Sequence, residues 1–588
     1  MNALLPLLYH PVAPVADASI LPSLYTFTAT HIPSWPSAMA IAAPQILSSL
    51  ASNAGSAHPP TLLAICETLA ILLEWRGDVL SDVNTFASVV MFMAGHVVAN
   101  SVSHYQLSIA ATEFFHVLLS GGSKLDNGTI STFINDANIF PTVLRALVKN
   151  MRYSESEVRG LMQKNEEDVV NDVNVRKKDK ADQGDDEDDG DEDVDFEDGE
   201  DSSWTVRKVS AATLDWVAVT VPTSISLPVI LQELQNGLRS DDVWVRESCI
   251  LALGAISAGQ TGQEVEGHLT ELYPFLISQL SSSLPQLVEI SCWTMSRYVG
   301  WVVYMEESGR MPNVLSGHVT ELMKAMMLPN RNVQNAAVTS LSKTIECAGG
   351  EMIEVHLGGI LGCLTNCLGI YGGKPLMTLC ETFGVVADYV GEPIGQYCGA
   401  FVPPLLEMWR RLDEGQRGVD FESCEEQAFY RKNLVPLLEC IGCVTVAAGA
   451  SYQPFAAATL TSAMSAVEHN VLRVITTNSQ DENDSDVIVC CLDIIDGLIE
   501  AFSSNFAGLM GTLEKRKAEA LLPMVQQATE FGVAGVRMSA FAVLGDLSKH
   551  CPSIIQGGLG EIFGMLIGGL NKNRGYGKVL NNVLWACG

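Results

Sequence analysis

The feature that most constrains this chain is a repeat. Segments beginning at Val245 (VRESCILALGAI), Leu287 (LVEISCWTMSRYVG), Val333 (VQNAAVTSLSKTI) and Leu376 (LMTLCETFGVVADYVG) carry apolar residues at i, i+3, i+4 and i+7, the stripe of an amphipathic helix. Their starts lie 42, 46 and 43 residues apart, and two further segments, at Val536 and Val579, are again 43 apart. Another helix-forming segment precedes each, for example LPVILQELQNGL, LYPFLISQL, VTELMKAMM and LLPMVQQAT. These first helices are expected to open near their proline or acidic residue, and the second helices to stop at Gly300, Gly349, Gly391 and Gly449 as left-handed caps.

A lone helix pair cannot bury its apolar face, so pairs at this period stack. A period of about 40–47 residues is that of HEAT or armadillo units. The 588 residues exceed what one core holds, and the fold expected is all-α, a HEAT-repeat superhelical solenoid. Residues 1–55 are Pro-, Ser- and Ala-rich and poorly patterned; HEAT repeats are expected over 56–164 and 204–588. The chain ends at WACG inside a helix. A solenoid needs a polar terminal cap, which predicts truncation at the C-terminus.

Between the two helical regions lies 165–203, expected to be a long acidic disordered loop, with a helix resuming at Trp204. From Asp182 to Asp201 it holds 14 acidic residues in 20 and no basic one: Asp182, Asp185, Asp186, Glu187, Asp188, Asp189, Asp191, Glu192, Asp193, Asp195, Glu197, Asp198, Glu200 and Asp201. Like charges at this density repel into an extended, solvated segment. Such a segment is either a solubilising linker or a tethered arm that reaches a basic surface.

The net charge of −33 argues against direct binding of nucleic acid, which needs a basic surface, and favours a basic polypeptide as partner. No run reaches the roughly 18 uninterrupted apolar residues of a spanning helix, so no membrane partner is expected. The 15 cysteines are scattered through helices, as in a reducing compartment. Phosphate-loop, nucleophile-elbow and zincin motifs are all missing, and Cys440-Ile-Gly-Cys443 has no second pair. The expectation is no enzyme, no cofactor and no metal.

Trp293, Arg297 and Trp301 fall at i, i+4 and i+8, on one face of a single expected helix. They are either core, with guanidinium stacked on indole, or an exposed platform. Acids recur on the second helices, at Asp215, Glu346, Glu381, Asp388, Asp493, Glu500 and Asp546. A carboxylate in an apolar helix is costly unless it faces water or a partner. Together they would line one surface suited to an extended basic peptide with aromatic or proline anchors; rim salt bridges are the competing reading for any single acid.

At MRYSESEV, WTVRKVSAATLDWVA, VWVRESCILALGAISAG, LVEISCWTMSRYVGWVV, RNVQNAA, FVPPLLEMW, FAVLGDLSK and NNVLWACG the chain resembles the transportin branch of the karyopherin-β (importin-β) superfamily of nuclear import receptors. The similarity runs in order from about Leu62 to Gly588. It implies a monomer that shuttles between cytoplasm and nucleus. It would bind cargo through basic proline-tyrosine nuclear localisation signals, pass nucleoporins and answer to Ran-GTP. It also implies roles for residues. Trp293 and Arg297, with Ala212 and Asp215, would take the proline-tyrosine end. Glu346, Glu381 and Asp388 would receive the basic portion. Asp493, Glu500, Asp546, Asn582 and Trp585 would hold the upstream epitope, and the acidic run would be the cargo-release loop. The family carries repeats before and after the matched region, which implies truncation at both ends. A HEAT scaffold and an acidic chaperone for basic proteins are the alternatives.

Overall fold

The structure is a computed structural model that describes Thr26, Ala29, Thr30 and residues 46–55, 58–98, 105–165, 205–420, 423–479 and 482–587. The acidic run, its 14 acids and the RKKDK patch from Arg176 lie outside the described residues. The described residues form helices and turns only, in two units, Met1–Trp301 and Val302–Gly588.

Each unit is a two-layer stack of antiparallel helix pairs, the HEAT-repeat architecture. In the first unit the second helices Pro59–Arg76, Tyr105–Leu119, Val206–Thr220, Val243–Ala255 and Pro285–Arg297 pack side by side. First helices such as Val83–Val98, Ile139–Asn150, Thr223–Leu238 and Gly259–Gln279 cover them. In the second unit the second helices are Arg331–Glu354, Lys374–Val390, Cys424–Ala448, Asp486–Phe502, Ala534–His550 and Gly577–Cys587. Their covering layer runs from Val314–Met326 through Leu357–Cys367, Cys398–Gly418, Gln453–Thr477 and Lys515–Thr529 to Leu559–Lys572. The core lies between the layers, where side chains such as Ile250, Leu251, Phe383, Leu437, Ile494 and Phe541 are fully buried.

Helix boundaries follow local chemistry. Gly349 (φ 72°), Gly391 (φ 67°) and Gly449 (φ 51°) adopt the left-handed backbone expected of them. Gly300 does not: the helix stops earlier, at Tyr298 (φ −107°, ψ 13°), and Gly300 lies in the first turn of the next helix, Val299–Glu307. The first helices do not open at their prolines either. Pro228, Pro274 and Pro523 sit inside Thr223–Leu238, Gly259–Gln279 and Lys515–Thr529, which start a turn or more upstream. The helix after the acidic run begins at Val206 rather than Trp204, because the Thr205 side chain caps it by accepting from the Lys208 N–H.

Glu426–Thr477 and Pro552–Lys572 are long and apolar enough to cross a bilayer. The first is broken by Gly449 into two helices of the array whose apolar residues, Leu434, Leu437, Leu460 and Val467 among them, are buried. Ahead of the helix Asp486–Phe502, Asp484 accepts hydrogen bonds from Arg431, Arg473 and Ser479.

Candidate functional site

In the first unit the helix Pro285–Arg297 is locked onto its neighbour Val243–Ala255. Thr294 Oγ1 donates to the Ile250 carbonyl at 2.9 Å and Tyr298 OH to the Leu253 carbonyl at 2.7 Å. Between these two anchors Trp293 lies across Gly254, where a Cβ would come within 2.2 Å of the ring. The indole is therefore half-buried and fixed in position. Arg297 has its guanidinium 5.7 Å from the Trp293 ring centre, donates to Asp215 Oδ1 at 2.8 Å and donates through Nε to Ser257 Oγ at 2.9 Å. Ala212 sits one turn before Asp215 and is half-buried. The four residues expected to act together, Ala212, Asp215, Trp293 and Arg297, thus fall on second helices of one stack.

Trp301 is a correction. It was expected beside Trp293 and Arg297, but Tyr298 ends the helix and the chain changes phase. Trp301 is 2 % exposed and packs on Tyr273, ring centres 5.4 Å apart. It belongs to the core.

In the second unit a band of carboxylates crosses the second helices from Lys374–Val390 to Ala534–His550, with Glu346 on the helix before it. Glu346, Glu381, Asp388, Asp493 and Glu500 are exposed on three of them. Asp388 hydrogen-bonds the Cys443 thiol of the next helix; burial, then Asp388, pushes that thiol up to about 11. Burial raises the Glu439 carboxyl, helped by Glu381, Asp486 and Asp493. Asp496 is pushed up to about 8, first by burial and then by Asp546, which shares a hydrogen bond with it, and by Asp493 and Glu500. Asp546 also lies 3.7 Å from His550 Nε2.

The last two described second helices repeat the arrangement of the first unit. Trp585 is 48 % exposed and lies across Gly545, where a Cβ would meet the ring at 2.3 Å. Lys549 Nζ stands 5.2 Å from the ring centre, and Asn582 donates to the Met538 carbonyl at 3.0 Å. So an indole on glycine with a cation against its ring occurs in each unit.

Sequence reasoning missed Glu439, Asp496, Gly254, Gly545 and Ser257. Glu439 and Asp496 carry the same signal as Asp493, an acid in an otherwise apolar helix. The glycines show no pattern until the tryptophans are seen to lie on them. Among the described residues no three His, Cys, Asp or Glu come together as a metal site.

The HEAT-like repeat family matches residues 243–298, the segment that ends on the Trp293 helix. Transportin-1 of Mus musculus is 32 % identical over 394 residues, 66 % of this chain and 40 % of its own length. Importin subunit beta-2 of Saccharomyces cerevisiae is 30 % identical over 548 residues, 89 % of this chain and 56 % of its own. The chain is a homologue of these two proteins. It spans about half the length of the curated relatives it matches. The solved Kap95:Nup1 complex shares the fold, with a TM-score of 0.67 at 11 % identity, covering 96 % of this chain and 59 % of that one. This transportin homologue therefore has a karyopherin-type HEAT solenoid.

Proposed function

We propose that this transportin homologue is a nuclear import receptor whose second helices take the basic proline-tyrosine localisation signals of cargo proteins. One observation carries the reading: each unit presents a part-exposed indole on a glycine with a cation against its ring, Trp293 with Arg297 and Trp585 with Lys549, on second helices that also carry carboxylates. An extended basic segment supplies positive charge for the exposed carboxylates and a flat or ring-shaped anchor for the indoles. In this reading Trp293, Arg297, Asp215 and Ala212 hold the proline-tyrosine end. Glu346, Glu381 and Asp388 take the basic stretch, and Asp493, Glu500, Asp546, Asn582 and Trp585 the upstream epitope.

The rest of the cycle belongs to the same reading. The receptor shuttles between cytoplasm and nucleus, contacts nucleoporins in the pore and releases cargo to Ran-GTP through the acidic run Asp182–Asp201. It works by binding alone, with no catalytic step. The relatives' names, Transportin-1 and Importin subunit beta-2, support it.

Binding of a fluorescent proline-tyrosine signal peptide, followed by anisotropy, is the test. Trp293→Ala should weaken it by about 2 kcal/mol or more, roughly thirtyfold, as expected of a hot-spot aromatic. Equal binding by wild type and variant would refute the site. Tight binding of any basic protein, with no preference for the proline-tyrosine element, would instead favour an acidic chaperone.

A further inference from the structure

Arg297 is held by two acceptors that come from two other helices. Its Nε donates to Ser257 Oγ at 2.9 Å and its Nη2 to Asp215 Oδ1 at 2.8 Å. Asp215 lies in Val206–Thr220, and Ser257 follows the end of Val243–Ala255. The Nε–H and one Nη2–H form one straight edge of the planar guanidinium, so both acceptors take the same edge. The other edge, one N–H each from Nη1 and Nη2, bonds to nothing among the described residues. The side chain keeps 27 % of its surface exposed, beside the Trp293 ring.

Asp215 alone would not fix this arginine. Its side chain is 44 % exposed, and an exposed ion pair contributes little and leaves a long side chain free to turn. A second acceptor on the same edge sets the plane of the guanidinium. The Ser257 hydroxyl makes no other hydrogen bond among the described residues, and the backbone closes the helix end without it: the Ser257 N–H donates to the Gly254 carbonyl at 3.2 Å. A clip between helices is the plainer role, but these helices are already joined. Thr294 and Tyr298 bond the Ile250 and Leu253 carbonyls on either side of Trp293.

We propose that Ser257 is a positioning residue for cargo recognition. It orients Arg297 before the ligand arrives, so that the unused Nη1–Nη2 edge meets an oxygen of the bound peptide beside Trp293. This rests on the reading of Trp293 and Arg297 as the seat of the proline-tyrosine end. Two parallel N–H groups suit an oxygen acceptor, and a proline offers its carbonyl but no N–H, so the main chain there presents acceptors only. A guanidinium already ordered in the free protein loses less freedom on binding, which for one long side chain amounts to about two- to tenfold in affinity.

The test is a double-mutant cycle on the full chain, read by anisotropy of the fluorescent proline-tyrosine signal peptide. Ser257→Ala should weaken binding by about two- to tenfold, with an unchanged melting curve. In an Arg297→Ala background the same change should have no effect, because the group it orients is gone. Ser257→Thr, which keeps the acceptor oxygen, should restore wild-type binding. A peptide whose proline and tyrosine are replaced by alanine should bind wild type and Ser257→Ala equally. A loss that persists in Arg297→Ala, or that comes with a lower melting temperature, would overturn the proposal. Wild-type affinity in Ser257→Ala, with Trp293→Ala still weakened, would remove the role of Ser257 and leave the site standing. A wild type indifferent to the proline-tyrosine element would take down both.

Discussion

Replacing Asp496 by asparagine tests the carboxylate band most sharply, because the charge of this residue and its packing are tied together. It is half-buried, with Oδ1 shielded from solvent, and its pKa stands at about 8 through burial and the neighbouring Asp546, Asp493 and Glu500. In the unfolded chain the same group titrates near its ordinary value of about 3.9. Below about pH 4 both states hold the proton. Between about pH 4 and 8 only the folded state holds it, so stability falls as pH rises, and above about pH 8 the loss levels off. A tenfold difference in acidity between the folded and unfolded states corresponds to about 1.4 kcal/mol. Partial exposure screens part of this, leaving an expected loss of about 2–4 kcal/mol across the window. Asparagine copies the shape of the protonated acid and cannot ionise. Asp496→Asn should therefore melt about 5 °C above wild type at about pH 8.5 and within about 1 °C of it at about pH 4.5, taking about 2 °C per kcal/mol. Circular-dichroism melts at the two pH values measure this. The same change at both, or a wild type that gains stability towards about pH 8.5, would refute the reasoning.

Gly545→Ala should lower affinity for a signal peptide that reaches Trp585, since the added Cβ displaces the indole, while changing the melting temperature little. Glu247→Ala should cost about 3–5 kcal/mol, read from denaturant melts. It would leave the Arg207 guanidinium, now bonded to Glu247 at 2.9 Å, to the Met151 carbonyl at 2.6 Å and stacked on Tyr153, as a buried unpaired charge. Removing both charges with Arg207→Met and Glu247→Leu should recover most of that loss.

The helix pairs were legible because each second helix shows its apolar stripe to one side only. Those read from Val245, Leu287, Val333, Leu376, Val536 and Val579 in fact begin at Val243, Pro285, Arg331, Lys374, Ala534 and Gly577, two residues earlier each time. The first turn is made by capping positions that do not touch the core, so the stripe starts late by a constant amount and the period survives. Second helices at Cys424 and Asp486 were not found by the period, because the starts from Lys374 to Ala534 are 50, 62 and 48 apart. Longer first helices such as Gln453–Thr477, and the turn anchored by Asp484, lengthen those repeats. The phase count that put Trp301 beside Trp293 failed for a different reason: it assumes an unbroken helix, and Tyr298 breaks it. Asp496 escaped because its partner Asp546 is 50 residues away, and no periodicity within one helix shows a neighbour on the next.

What separates a tryptophan on the surface from one that packs in the core is the residue beneath it. Neighbouring helices in such a stack are about 8–10 Å apart, and an indole can lie flat across that gap only where the next helix has no Cβ. Gly254 precedes Trp293 by 39 residues and Gly545 precedes Trp585 by 40, so each glycine sits level with its ring one second helix back. Trp301, past the helix break, has no such seat and turns into the core against Tyr273. Alanine would favour either helix by about 1 kcal/mol over glycine, yet it would lift the ring. Glycine at these two positions thus gives up helix stability where a flat aromatic surface is made. On that argument Gly545→Ala, whose Cβ would meet only the Trp585 ring, should weaken peptide binding in a protein that melts no lower than wild type, a separation that damage to the core would not produce.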